Sequence, residues 1–414
     1  ALAFLASWRF NPMASLLYAW EFGANFGHVG AFLPLARALR DGGHDVHWVV
    51  TQTAPAARLL KNEGFTWMQA PVANELHRPG PPLTYADILL RFGYADAADL
   101  LGLVVAWREL MQLTGARLVL ADHGPTAMLA ARTLGLPVMV FGNGFYIPPR
   151  QRPLPNMRPW QPLPEAQLLA LEDEALASIN AVLTHFGKAP LGAVMELFDV
   201  AEEALMTYPE LDQYEDRGPA RYWGCLPNAS VGIALPWPDM PGKRVFAYLR
   251  PEVAQWKLIL QGLQGLGVPT VVYFPNLPPH ARARYESAHL RFADQPVDLG
   301  KATVEADVAI TYSSLSTTTA FLLAGKPLLL MPSHLEQFLL ARRVAQMGAG
   351  MVANPEQPPT DFLPLLRELI ENDGYRENAA AFAAKYAAFN QDAVMANLVR
   401  RVGELCDAPK ENSP

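Results

Sequence analysis

Residues 306–350, ADVAITYSSLSTTTAFLLAGKPLLLMPSHLEQFLLARRVAQMGAG, constrain the fold more than any other stretch of the chain. Residues 307–311 are a short apolar run with Val308 and Ile310, the pattern of a strand buried in a parallel sheet. Residues 312–318 follow as a hydroxyl-rich turn. A helix is expected over 319–324, closed by Gly325 with Pro327 just beyond. Residues 326–331 read as a second strand, and 332–337, with His334, Glu336 and Gln337, lead into an arginine-bearing helix. Strands joined through a helix run parallel, so the fold is α/β.

A strand–turn–helix of this kind leaves unpaired N–H groups of a helix start at the carboxyl end of a sheet, where an anion, above all a phosphate, is readily held. Ser313, Ser314, Ser316, Thr317 and Thr318 would add hydroxyl donors there. Taken singly, each Ser or Thr reads equally as a cap or turn residue. Their clustering ahead of a second turn of the same kind points to a ligand.

The segment resembles the donor-binding half of the family 1 (UDP-glycosyltransferase-like) enzymes, bacterial type. Their pattern is a strand, a His-Gly-Gly-x-Gly/Asn-Thr turn, a helix with Glu, Ala-Gly-x-Pro, a strand, and Pro-x-x-x-Asp/Glu-Gln-x-x-Asn-Ala. Here Thr317, Ala324-Gly325-Lys326-Pro327, Pro332, Glu336-Gln337 and Ala341 are kept. Tyr312 stands where the phosphate-binding histidine is expected, Ser313, Ser314 and Ser316 replace the small turn residues, Ala320 replaces Glu, and Leu340 replaces Asn. The resemblance implies the GT-B fold: two Rossmann-like domains facing across a cleft.

The amino-terminal part matches the same family. Residues 15–22 read as a strand, 23–30 as a glycine-bearing turn, 31–41 as an amphipathic helix and 45–51 as a strand, together one βαβ unit. Gly27-His28, Pro34, Leu35-Ala36 and Gly43-His44-Asp45-Val46 follow the family's pattern. The resemblance makes His28 the base that takes the acceptor's proton, a role suited to an imidazole near neutral pH; the alternative is a histidine bonded within its turn. Asp122, at the end of a strand over 117–121, matches the acid that orients that histidine; the alternative is a cap for the helix that follows. His123 beside it has no assigned role. Phe92, Tyr94, Trp107 and Phe145 are candidates for an apolar acceptor pocket, and equally for plain core.

The length of 414 residues argues for two domains, and 51% hydrophobic with 18% charged residues describes a soluble globular protein with large buried sheets. The expected boundaries are an extension over 1–12, an acceptor domain over 13–235, a donor domain over 236–390, and a helix over 391–414 crossing back to the first domain. Residues 1–12 are apolar but shorter than the roughly 20 residues that span a bilayer, and they lack a cationic leader. The formal net charge of −7 without a basic run argues against a nucleic-acid partner. Two cysteines, Cys225 and Cys406, lie far apart and exclude a cysteine-rich metal site. A cytoplasmic location is expected.

At the end of the second domain's first strand, over 245–249, Arg250 replaces the small turn the family uses. It suits a bidentate phosphate contact that compensates for Tyr312, or a surface salt bridge. Residues 290–299 lack the family's tryptophan, and Phe292 is the nearest aromatic. The resemblance implies an inverting transfer from a UDP- or dTDP-linked sugar to a small-molecule hydroxyl, with no metal and no other cofactor. Its diphosphate would lie at Arg250, Tyr312 and residues 313–318, with His334, Glu336 and Gln337 toward the sugar. A degenerate binding protein and a nucleotide-sugar epimerase-like enzyme remain alternatives on the same scaffold.

Overall fold

A computed structural model of the chain describes residues 14–24, 26–225 and 232–407. The extension expected over 1–12, Asn25 of the first turn, 226–231 of the linker and the last residues of the tail lie outside the described residues. The chain forms two compact units, one within Ala1–Met206, Tyr214–Gly224 and Asp392–Pro414, the other within Thr207–Gln213 and Cys225–Gln391.

The first unit is built on β1 (Ser15–Trp20), β2 (Asp45–Val50), β3 (Trp67–Gln69), β4 (Leu118–Asp122), β5 (Val138–Gly142) and β6 (Glu202–Leu205). They pair in parallel in the order β3-β2-β1-β4-β5-β6. Every residue of β4 and β5 is buried, which is why these strands read as unbroken apolar runs. On one face, the Tyr18 ring stacks on Phe32 of the helix Gly27–Asp41 with centroids 4.0 Å apart and meets Trp48 edge-on at 4.9 Å. The last helix, Gln391–Asp407, packs on this unit through Arg401 Nε donating to Glu202 at 2.6 Å and Arg117 donating to the Cys406 carbonyl at 2.8 Å.

The second unit repeats the plan with β7 (Val245–Tyr248), β8 (Thr270–Tyr273), β9 (Leu290–Ala293), β10 (Val308–Thr311), β11 (Leu328–Leu330) and β12 (Gly350–Val352), in the order β12-β11-β10-β7-β8-β9. In each sheet the first strand is central, and the chain winds outward on one side before crossing to the other. The crevice beyond the carboxyl ends of the first and fourth strands is where such sheets bind ligands. In the first unit that point falls between β1 and β4, in the second between β7 and β10.

Helix starts differ most from the expectations. The helix expected from residue 31 begins at Gly27, so His28 lies in a first helical turn rather than a loop. The helix expected over 319–324 spans Leu315–Leu323, because Ser313 takes a left-handed φ of 65° that turns the chain sharply after β10. After β7 the next helix spans Trp256–Leu266, and a 3-10 turn occupies Val194–Phe198. The helix Tyr85–Leu89 passes into a kinked segment in which Phe92 and Gly93 leave helical geometry. No helix among the described residues is long and apolar enough to cross a membrane.

Candidate active site

In the first unit, β1 ends at Trp20 and the chain turns through Gly23 at a φ of 98°, a value that glycine adopts without strain. Phe22 N donates to the His123 carbonyl at 3.0 Å, tying this loop to the one after β4. His28, 7% exposed, places Nδ1 2.9 Å from Asp122 Oδ1. Trp20 and Asp122 are register partners on β1 and β4, so both side chains rise on the face covered by the helix Gly27–Asp41. The His28 ring stacks on Trp20 at 5.0 Å and meets Tyr146 at 5.2 Å. With Asp122 Oδ1 accepting, the imidazole proton sits on Nδ1 and Nε2 carries the lone pair. A Cβ added to Gly23 would sit 2.5 Å from Nε2, so any side chain at this position would crowd that nitrogen.

Asp122 does not cap the helix Pro125–Leu134, which was its alternative role. Glu21, just past β1, does so, its Oε2 accepting from Thr126 N at 2.8 Å. Burial raises the Glu21 pKa to about 7, against the opposing effect of the Thr126 and Ala127 donors. Asp122 instead takes a second donor on Oδ2, the Tyr18 hydroxyl at 2.6 Å. Neither Tyr18 nor Glu21 is marked by sequence motif. Tyr18 is signalled only by alternating with Trp20 on one face of β1.

His123 holds a φ of 47°, is 6% exposed, and has no hydrogen-bond partner on either ring nitrogen among the described residues. Burial, then the neighbouring His28, push its pKa well below the usual range, so it is neutral. It stacks on Tyr146 at 4.3 Å within a cluster that includes Phe22, Tyr85 and Phe145. Of the acceptor-pocket candidates, Phe145 belongs to this cluster and Phe92 reaches it through Phe22 at 5.0 Å. Tyr94 and Trp107 do not line a pocket. Both are 0% exposed, the plain core that was their alternative reading, with the Tyr94 hydroxyl bonded to Thr126 at 3.0 Å.

The second unit brings Arg250 and Tyr312 together at the end of β7 and β10. The Arg250 guanidinium carbon lies 4.7 Å from the Tyr312 ring centroid and 5.8 Å from that of Tyr248, and its Nη2 is 3.4 Å from the Tyr248 hydroxyl. Arg250 forms no salt bridge among the described residues, and its buried Nε has no partner. Burial, then the nearby Tyr312, push the Tyr248 pKa up to about 12. Ser314 is the N-cap of the helix Leu315–Leu323 but its side chain makes no capping bond, and the buried hydroxyls of Ser313, Ser314 and Thr318 lack partners among the described residues. Uncapped N–H groups beside orphan hydroxyls and a guanidinium are a donor set that suits an anion.

Other expectations fall differently. Thr317 and Thr318, 2% and 0% exposed, are helical and packed inward rather than open turn residues; Ser316 is partly buried in the same helical turn. Gln337 Oε1 accepts from Ser333 N at 2.9 Å and Ser333 Oγ at 3.0 Å, so that oxygen stabilises its own turn. His334 is exposed at the start of the helix Leu335–Gln346, and Glu336 is partly exposed in its first turn. Leu340, where the family pattern has Asn, is 2% exposed within the apolar core. Phe292 is also core, at 5% exposure, on the edge of a recess of about 330 Å³ lined by Tyr273, Asn276, Arg282 and Asp294.

No family model matches the chain. A PGL/p-HBAD biosynthesis glycosyltransferase of Mycobacterium tuberculosis is 22% identical over 410 residues, covering 91% of this chain and 90% of its own length. Among solved structures, the calicheamicin glycosyltransferase CalG4 superposes with a TM-score of 0.69 at 17% identity, covering 96% of this chain and 100% of its own. The glycosyltransferase VinC in complex with dTDP gives 0.67 at 18% identity, covering 95% and 100%. These structures establish the GT-B fold for this chain.

Proposed function

Starting from a GT-B fold with a switch-point crevice in each unit, we propose that this chain is a glycosyltransferase that moves a sugar from a nucleoside diphosphate to a hydroxyl of a small-molecule acceptor. The pairing of His28 with Asp122 at the switch point of the first sheet carries the reading. His28 Nε2 accepts the acceptor's proton as its oxygen attacks the anomeric carbon, and Asp122 stabilises the imidazolium that forms. The bond from the anomeric carbon to the diphosphate oxygen breaks in the same displacement, which inverts that centre. Charge building on the leaving diphosphate is met by the start of the helix Leu315–Leu323, Ser313, Ser314 and Arg250, without a metal ion or other cofactor. The dTDP held by VinC supports a UDP- or dTDP-linked donor.

The test is to incubate the chain with a panel of UDP- and dTDP-sugars and hydroxylated acceptors, following nucleoside diphosphate release. Acceptor-dependent release that His28→Ala abolishes is the expected result. Undiminished transfer by His28→Ala would remove this residue as the base.

A second reading, a binding protein on the same scaffold without transfer, is favoured by Tyr312 in place of the phosphate-binding histidine and by the use of Gln337 Oε1 within its own turn. Calorimetry with UDP and dTDP separates the two readings, since an active donor site binds a nucleoside diphosphate and a decayed one gives no heat. Absence of heat with either would count against any intact donor site.

A further inference from the structure

We propose that Tyr18 is a positioning residue for transfer, the far end of a buried Tyr18–Asp122–His28 chain that fixes the carboxylate and tempers its pull on the imidazole. This rests on the reading of His28 as the base. Asp122 is 3% exposed, and each of its oxygens takes one protein donor, Oδ1 from His28 at 2.9 Å and Oδ2 from Tyr18 at 2.6 Å. The shorter distance is that of a hydroxyl donating to a charged carboxylate. Two donors on opposite oxygens stop the carboxylate rotating about its own axis, which keeps Oδ1 in line with Nδ1.

Tyr18 is itself immobile. It is 0% exposed, stacked on Phe32 at 4.0 Å and set edge-on to Trp48 at 4.9 Å. Burial, then the charge of Asp122, raise its pKa well above the usual phenol range, so it remains a donor at any pH at which the chain functions. Its donation spreads the carboxylate's charge and weakens the attraction between Asp122 and a protonated His28. The other titratable groups facing this chain are Tyr146, with its ring 5.2 Å from His28, and neutral His123 at 6.5 Å. Glu21, on the loop between β1 and His28, is turned to Thr126 N.

The experiment follows the imidazole carbon resonances of histidine-labelled chain by NMR as pH is varied, with the His28 signal assigned by its loss in His28→Asn. Tyr18→Phe keeps the ring packing and removes only the donor. Its expected effect is a rise of the His28 titration midpoint by about half a unit to one unit, because the carboxylate regains charge density toward Nδ1. The acid limb of transfer against pH should move up by the same amount, and kcat should fall while KM for the acceptor changes little. An unchanged midpoint in folded Tyr18→Phe, or an equal rise when the substitution is made in Asp122→Asn, would overturn the proposal. In the unsubstituted chain, a labelled Tyr18 ring carbon should report the same midpoint as His28, and independence of the two would also overturn it. Since the titration needs no turnover, failure of the glycosyl-transfer reading is distinguished by an intact shift without transfer.

Discussion

Glu21 shows how a residue with no motif acquires a measurable role. Its carboxyl is 8% exposed at the start of the helix Pro125–Leu134, and burial raises its pKa from the ordinary 4.5 to about 7. The folded chain thus holds this proton more tightly than the unfolded one, so stability is greatest below the unfolded value and falls as pH rises through the folded one. The window is about pH 4.5 to 7, and the loss attributable to Glu21 is of the order of 3 kcal/mol. Glu21→Gln keeps an oxygen for Thr126 N and should flatten that decline, measured by denaturant unfolding at several pH values. A decline of unchanged steepness would show that the carboxyl does not carry it. His28→Ala is expected to slow transfer by about 10²- to 10⁴-fold, the scale of a lost general base. Sequence patterns led to His28 and Asp122 because both occupy fixed offsets from strand ends. Tyr18 and Glu21 escaped because their roles depend on strand register and on a loop reaching across to the neighbouring strand, neither of which has a residue signature.

Among the elements, the central strands were legible because parallel strands covered on both faces need apolar residues throughout, as in β4 and β10. The start of the helix Leu315–Leu323 was not legible. Three consecutive threonines, Thr317, Thr318 and Thr319, disfavour helix by propensity, yet all three are buried, and tertiary packing overrides a preference of a few tenths of a kcal/mol each. The left-handed Ser313 that allows this early start makes the element testable. Ser313→Gly relieves a φ that costs a non-glycine residue about 1 kcal/mol, partly offset by the freedom glycine adds to the unfolded chain. Its thermal midpoint should be equal or higher, whereas affinity for a nucleoside diphosphate should fall because the buried Oγ donor is gone. If affinity is retained in this variant, the hydroxyl is a turn residue and not part of the donor grip.

For the molecule as a whole, the proposal divides the work between the units: proton acceptance in the first and diphosphate binding in the second. Each sheet has its switch point at its own first and fourth strands, so the two functions should separate by mutation. Saturating dTDP or UDP, at about 100 times its dissociation constant, adds about 2.7 kcal/mol to whatever binds it, enough to raise an unfolding midpoint by about 5 °C or more. His28→Ala should keep that rise while losing transfer. Arg250→Ala should lose most of it, since a guanidinium hydrogen-bonded to phosphate contributes about 1.5–3 kcal/mol, or roughly 10- to 100-fold in affinity. Arg250→Lys should recover only part, because an ammonium cannot reproduce the fork or the stacking on Tyr248 and Tyr312. Were Arg250→Ala to bind nucleotide as the unsubstituted chain does, Arg250 would be a packing partner of the tyrosines alone, and the helix start and its hydroxyls would have to hold the diphosphate without it.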